Sequence, residues 1–244
     1  MMIGMVKAEL LKMRHTFSMK MMLFAPLVTI LLGYILSGNY VQLSAYNWWY
    51  TMILPLFVSM ISASTIVREK NTGMHNIICL PIPVSKIWIG KIIAITLLIF
   101  VSNLFLWGIS CVAGLITSMA VSPIDGLIGC ILLFITYLWQ IPFIMLLTSL
   151  LGYLPAVILS VGANVIFSAI GAEKNWFFLD PYAIPARIVC PFFKMHPNGV
   201  SLDSASPLLD GSYIIPAVLL SLLLACVILW IGSLLFLKDV RKHD

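Results

Sequence analysis

The sequence predicts an all-α, polytopic membrane protein with six transmembrane helices, an N-terminal interfacial helix and both termini cytoplasmic. Three observations carry this. Six apolar stretches almost empty of charge are separated by loops, and about 20 apolar residues in a row suffice to cross a bilayer. Charged residues make up 9% of the 244 residues and hydrophobic ones 61%, against roughly 25% charged in soluble proteins. The basic residues fall in alternate loops, as insertion topology requires.

The first 20 residues read as an amphipathic helix lying along the cytoplasmic interface. Ile3, Val6, Leu10, Met13 and Phe17 recur at helical spacing, while Lys7, Glu9, Lys12 and Arg14 fall off that stripe. The length of this region and its Glu9 argue against a cleaved signal peptide. A first span follows over Met21–Ser37, then an outer turn over Gly38–Asn47. The second span, Trp48–Val67, carries Trp48, Trp49 and Tyr50 at its outer edge, the level that indole and phenol rings prefer. Pro55 is expected to kink it.

Arg68–Lys91 is the first substantial loop. Ile92–Met119 is long enough to tilt as a third span. Ser122–Gly126 makes an outer turn, and Leu127–Leu147, with Pro142, is the fourth span. Thr148–Gly152 is a turn without charge to fix its side. The fifth span has its body at Val157–Ile170. A proline-rich and aromatic outer segment fills 173–212, Tyr213–Leu237 is the sixth span, and Lys238–Asp244 is the tail.

With both ends and the Arg68–Lys91 loop inside, eleven bases and four acids face the cytoplasm. Three bases and five acids face outward, so the inside is net +7 and the outside net −2. This obeys the positive-inside rule. It also reads the net charge of +5 as topology and removes the case for nucleic acid.

Several function classes are disfavoured. No G-x-x-x-x-G-K-[ST] loop is present, and the chain has no room for a nucleotide-binding domain beside six spans. The proposed spans hold no ionisable residue at their centres, where ion-coupled carriers commonly need one. There is no H-E-x-x-H, and the four histidines lie far apart, so an enzyme is not expected. The five cysteines show no metal or redox spacing, and only Cys190 is expected outside. Asn103, Gln140, Asn164 and several Ser and Thr are the polar residues within spans. They read as interhelical hydrogen-bonding groups or, with Trp176 and Asp180 of the outer segment, as candidate transport-path residues. The aromatics between Trp176 and Phe193 are read as either lipid-surface groups that receive an amphipathic ligand or plain interfacial anchors.

The loop from Arg68 to Lys91 opens Arg68-Glu69-Lys70-Asn71-Thr72-Gly73, continues into a short apolar helical stretch, and turns at Pro81-Ile82-Pro83. It then carries Lys86 and Gly90-Lys91 into the next span. Such an element, tethered to two spans, transmits a push to both. This order resembles the cytoplasmic coupling loop of ABC-2 type transporter permeases. The interfacial helix, six spans and proline-rich outer segment are similar to that family as well. Ala45-Tyr46-Asn47-Trp48-Trp49-Tyr50 with Leu54-Pro55, the loop from Glu69 to Lys91, and His196-Pro197-Asn198-Gly199 resemble the lantibiotic-immunity ABC permeases in particular.

The resemblance implies one ABC-2 transmembrane domain over residues 1–244 that pairs with a second permease subunit, identical or a sister chain, in the bacterial plasma membrane. It implies a separate cytoplasmic ATPase, with ATP and Mg bound there and no cofactor on this chain. Arg68, Glu69, Lys70, Gly73 and Lys86 are the expected ATPase-coupling residues, Glu69 and Lys70 by direct polar contact. The implied cargo is a cationic lantibiotic peptide expelled from the producer's own membrane. A drug or lipid exporter, and a scaffold that binds the peptide without moving it, stay open.

Overall fold

The computed structural model describes residues 2–203 and 205–241. Met1, Ser204 and the 242–244 end of the predicted tail lie outside the described residues. Twelve α-helices are described: α1 (Met2–Met13), α2 (Phe17–Ser37), α3 (Val41–Trp48), α4 (Leu54–Asn71), α5 (His75–Ile78), α6 (Val84–Ile116), α7 (Pro123–Tyr137), α8 (Gln140–Leu151), α9 (Tyr153–Gly171), α10 (Ala183–Ile188), α11 (Cys190–Phe193) and α12 (Ile214–Arg241). No strand occurs among the described residues, only one isolated bridge between Met195 and Ser201.

Five helical runs are long and apolar enough to cross a membrane: Phe17–Asn71, Val84–Ile116, Pro123–Leu151, Tyr153–Gly171 and Ile214–Val240. The first, at 55 residues, folds back on itself. At Gly38 the backbone takes φ +52°, a left-handed conformation natural to glycine. Beyond it α3 returns along α2, so closely that a side chain at Gly33 would meet the Val41 carbonyl at 2.9 Å. Further along the hairpin, the Ser18 and Ser64 hydroxyls are 3.0 Å apart. The outer turn expected over Gly38–Asn47 is therefore only Gly38–Tyr40, and helix resumes at Val41.

Prolines mark the irregularities. A π-helical stretch, Trp49–Ile53, joins α3 to α4 just before Pro55. A wider turn there accommodates a ring that lacks an N–H and crowds the carbonyl four residues back. Pro142 acts on the fourth predicted span in the same way. The helix is interrupted at Leu138–Trp139, and Leu138 is the residue whose carbonyl the ring would strike. The turn between α8 and α9 is narrower than expected: Gly152 alone, at φ +87°.

Two corrections concern the ends of the bundle. The predicted 20-residue N-terminal helix stops at Met13. Thr16 then caps α2 by accepting a hydrogen bond from the Met19 N–H, so Phe17–Lys20 belong to the first long helix. In α1 the face turned inward holds Glu9 and Met13, while Ile3 and Phe17 of the predicted apolar stripe stay exposed.

The outer segment departs more. Phe177, Ile184, Ile188 and Phe193 are at most 2% exposed, because α10 and α11 insert among α7, α9 and α12. Phe193 stacks on Tyr46 at 4.2 Å between ring centroids and packs on Gly129, where any side chain would collide with it. These four of the residues read as lipid-surface groups are thus core, and Phe178 and Phe192 pack partly buried against it. Trp176 and Leu179 keep exposed apolar surface. Cys190 is likewise buried, and Cys79 and Cys226 are the exposed cysteines.

Candidate functional site

Two ends of the bundle can be told apart by contacts. At one, the Ser118 hydroxyl donates to the Asn39 carbonyl and Asn47 Nδ2 to the Pro197 carbonyl at 2.9 Å. This end gathers the 38–40 turn, the 118–122 turn and the outer segment. Gly199, at φ +90°, lies against Asn47. The Ala45–Tyr50 and His196–Gly199 motifs, 150 residues apart, therefore meet. At the other end lie α1, the 68–91 segment, the Gly152 turn and the far end of α12.

That second end is built around charges. The last turn of α4 presents Arg68, Glu69 and Lys70. α1 presents Glu9 and Lys12, one helical turn apart. α6 presents Lys91, past its first two turns. Lys91 is fully buried, and its Nζ lies 2.9 Å from Glu9 Oε2 and 2.5 Å from Glu69 Oε1. Lys12, at the rim, reaches Glu9 Oε1 and Glu69 Oε1, both at 2.9 Å. Three helices are thereby tied by one alternating cluster of two carboxylates and two ammonium groups.

Burying such groups costs several kcal/mol per ion, which mutual pairing must offset. The protonation states reflect that balance. Burial alone would raise the Glu69 carboxyl, but Lys91 and then Lys12 overcome it and hold it below its ordinary value. Burial likewise works to lower Lys12, and its bonds to Glu69 and Glu9 leave it raised. Glu69 and Lys12 are therefore charged through the neutral range. The cluster's ion pairs fix α1 to α4 and α6.

The five expected coupling residues divide. Glu69 is 1% exposed, and its Oε1 is committed to Lys91 and Lys12. Lys70 donates to the Ser149 carbonyl at 2.6 Å and lies 3.6 Å from Asp239. It ties α4 to the α8–α9 turn and to α12, which gives the chargeless Thr148–Gly152 turn its place at this end. Gly73, at φ +60°, closes α4. Its N–H bonds the Lys70 carbonyl and the Met74 N–H bonds that of Glu69, the paired arrangement that a glycine just past a helix end provides. Arg68 lines a cleft beside the cluster. Lys86 sits in the first turn of α6, outside the cluster.

Between the two spans, regular α-helix runs to Asn71 and starts again at Val84, so the free connection is shorter than the predicted 68–91. It contains the single turn α5, anchored by buried Met74 and Ile77, with Leu80 exposed. Sequence reasoning missed Glu9, Lys12 and Lys91 as a unit. The available signal was Glu9 and Lys12 at i,i+3, a spacing that puts both on one helix face, and a lysine entering the third predicted span.

The candidate transport-path residues are at most 1% exposed where they lie in the bundle. Asn103 accepts from Trp49 Nε1 and donates to the Ile99 carbonyl. Asn164 donates to Gln140 Oε1 at 3.1 Å and accepts from the Tyr137 hydroxyl. The structure brings Gln140 and Asn164 together and leaves Asn103 apart, each side chain bonding to a residue of another helical segment. Trp176 and Asp180 converge around Gly171. Burial raises the Asp180 carboxyl, though it accepts bonds from the Tyr182 and Ala183 N–H groups.

A bundle of long apolar helices with a cluster of buried ion pairs at one end defines a multi-pass helical membrane protein. The family model described as ABC-2 family transporter protein matches residues 5–171, from α1 to the end of α9, and the chain belongs to that family. Its members are membrane components that are not themselves ATPases, and the family implies an ABC ATPase as partner. No curated protein and no solved structure matches the chain.

Proposed function

We propose that the chain is the permease subunit of an ATP-driven exporter. It crosses the membrane six times, the first long run counting twice because it folds back at Gly38, and both ends and the 68–91 segment face the cytoplasm. The observation that carries this reading is the Glu9–Lys12–Glu69–Lys91 cluster. A push delivered at the α5 turn would reach α4 and α6 directly and α1 through Lys91 and Lys12. The distribution of basic residues supports the orientation. A separate ATPase binds ATP and Mg beneath this end, and a second permease subunit completes the conduit.

The cargo is a cationic lantibiotic peptide, expelled to protect the producing cell. Support comes from the resemblance already described and from the meeting of its two outer motifs at Asn47 and Pro197. Asp203 and Asp210 add negative charge to the outer segment, and the Asp210 carboxyl is held below its ordinary value by hydrogen bonds from Ser212.

The test is peptide resistance in cells that carry this chain with its ATPase, against cells whose ATPase cannot hydrolyse ATP. Loss of resistance in the second strain supports the pump. Full resistance there would show that the chain sequesters peptide without transport.

A further inference from the structure

The cleft beside the charge cluster plays no part in the mechanical argument. It has a volume of about 690 Å³ and lies between α1, the end of α4, the α5 turn and the start of α6. That is within the range of pockets that hold small ligands. Its wall is apolar, with Met5, Leu80 and Ile82 among the lining residues, and its polar end presents Arg68, Lys12, Glu9 and Asn76.

The charges at this end do not balance. Lys12, Arg68 and Lys91 are three bases against two acids, Glu9 and Glu69. Both Glu9 oxygens are taken, one by Lys12 and one by Lys91. Arg68 has no carboxylate among the described residues. Its side chain forms part of the cleft wall. A guanidinium fork suits a phosphate, which it binds through two parallel N–H···O bonds.

We infer that this cleft binds the phosphate of an anionic membrane phospholipid at Arg68 and Lys12, with an acyl chain along the Met5, Leu80 and Ile82 wall. One singly charged phosphate cancels the surplus positive charge. The amphiphilic shape of the cleft, cationic at one end and apolar along the wall, favours a lipid over a free anion. Its place beside α1, whose Ile3 and Leu11 are exposed, puts it at headgroup depth. Basic pockets at the cytoplasmic ends of transmembrane helices are a common setting for such headgroups. Occupancy would tie the seat of α1 to the lipid composition of the inner leaflet. This rests on the chain being a membrane protein and not on the identity of its cargo.

The experiment is native mass spectrometry of the full chain in detergent, titrated with phosphatidylglycerol or with phosphatidylcholine of the same acyl chains. The wild type should hold one phosphatidylglycerol, preferred at least about tenfold, the scale of one charge-assisted hydrogen bond. Arg68→Gln should lose that preference and Arg68→Lys should keep part of it. Lys7→Gln, on the opposite flank of α1, should bind as the wild type does. Ile82→Trp fills the cleft while leaving every charge in place and should also lose the lipid. Its elution profile and thermal midpoint verify folding should Arg68→Gln fail to fold.

Equal phosphatidylglycerol binding by wild type and Arg68→Gln overturns the inference. So does full displacement of the lipid by equimolar glycerol phosphate, which would mark a small-anion site. A third contrary outcome is an Arg68→Gln chain that keeps its lipid but no longer holds the ATPase, which would assign the cleft to a protein partner.

Discussion

Replacing Lys91 with methionine removes the centre of the charge cluster while keeping most of the side-chain volume. Two unit charges about 3 Å apart attract by roughly 5–6 kcal/mol at an effective dielectric of about 20. Lys91 makes two such contacts. Against their loss stands the burial cost of the ammonium, which methionine does not incur. Glu9 and Glu69 are left facing each other with only Lys12 between them. Removing one partner from a buried ionic group typically costs about 3–5 kcal/mol, and that is the expected net loss. For a chain of this size it lowers the thermal midpoint by on the order of 10 °C. The assay is thermal unfolding of the purified chain in detergent, run as a double-mutant cycle with Glu69→Gln. Because the two groups touch, the double variant should lose less than the sum of the singles, by about 2 kcal/mol. Limited proteolysis should cut Lys91→Met faster between α1 and α2, since α1 has lost its hold on α6. A Lys91→Met chain within about 1 kcal/mol of wild type, or strictly additive losses, would refute the reasoning.

The same cluster sets a pH window. Glu69 is held below its ordinary 4.5, so its contribution is present above that value and is lost as pH falls through its folded value. Lys12 is raised above 10.5, so its contribution is present below that value and is lost as pH rises through its folded value. Thermal midpoints measured against pH should fall on both flanks, and Glu69→Gln should flatten the acid flank. Phe193→Ala should cost about 3–5 kcal/mol, read by thermal unfolding, because the ring fills the space between Tyr46 and Gly129. A surface anchor would cost almost nothing. Asn164→Ala should cost about 1–2 kcal/mol by leaving Gln140 and Tyr137 short of a partner. Export per folded molecule should be unchanged, whereas a path residue would reduce it.

The long helices were legible because lipid solvates only apolar surface, so each span is a run with no charge at its centre. Three kinds of feature were not. Lys91 reads as the edge of a loop, because a lysine at a span boundary is ordinary. Only the arrival of Glu9 and Glu69 from other helices makes its burial tolerable, and sequence gives no distance between them. The outer segment reads as surface because prolines and short helices suggest a loop. Phe177 and Phe193 are buried because Gly129 and Gly171 leave room for the segment to enter, a tertiary fact. The Gly152 turn carries no charge of its own. Its place depends on Lys70, 79 residues away in sequence. Of the residues named from sequence, Glu69 is held inside the bundle by Lys91 and Lys12, a contact that the sequence does not show because burial is decided by packing.

The claim underneath the account is that this chain supplies a conduit and a lever while a separate ATPase supplies the energy. Reconstitution into vesicles tests it most directly, with transport of a labelled cationic peptide followed for the chain with and without the ATPase that co-purifies with it. The account predicts transport only with that ATPase and ATP present. Transport by the chain without nucleotide, or the failure of any ATPase to co-purify, would contradict it.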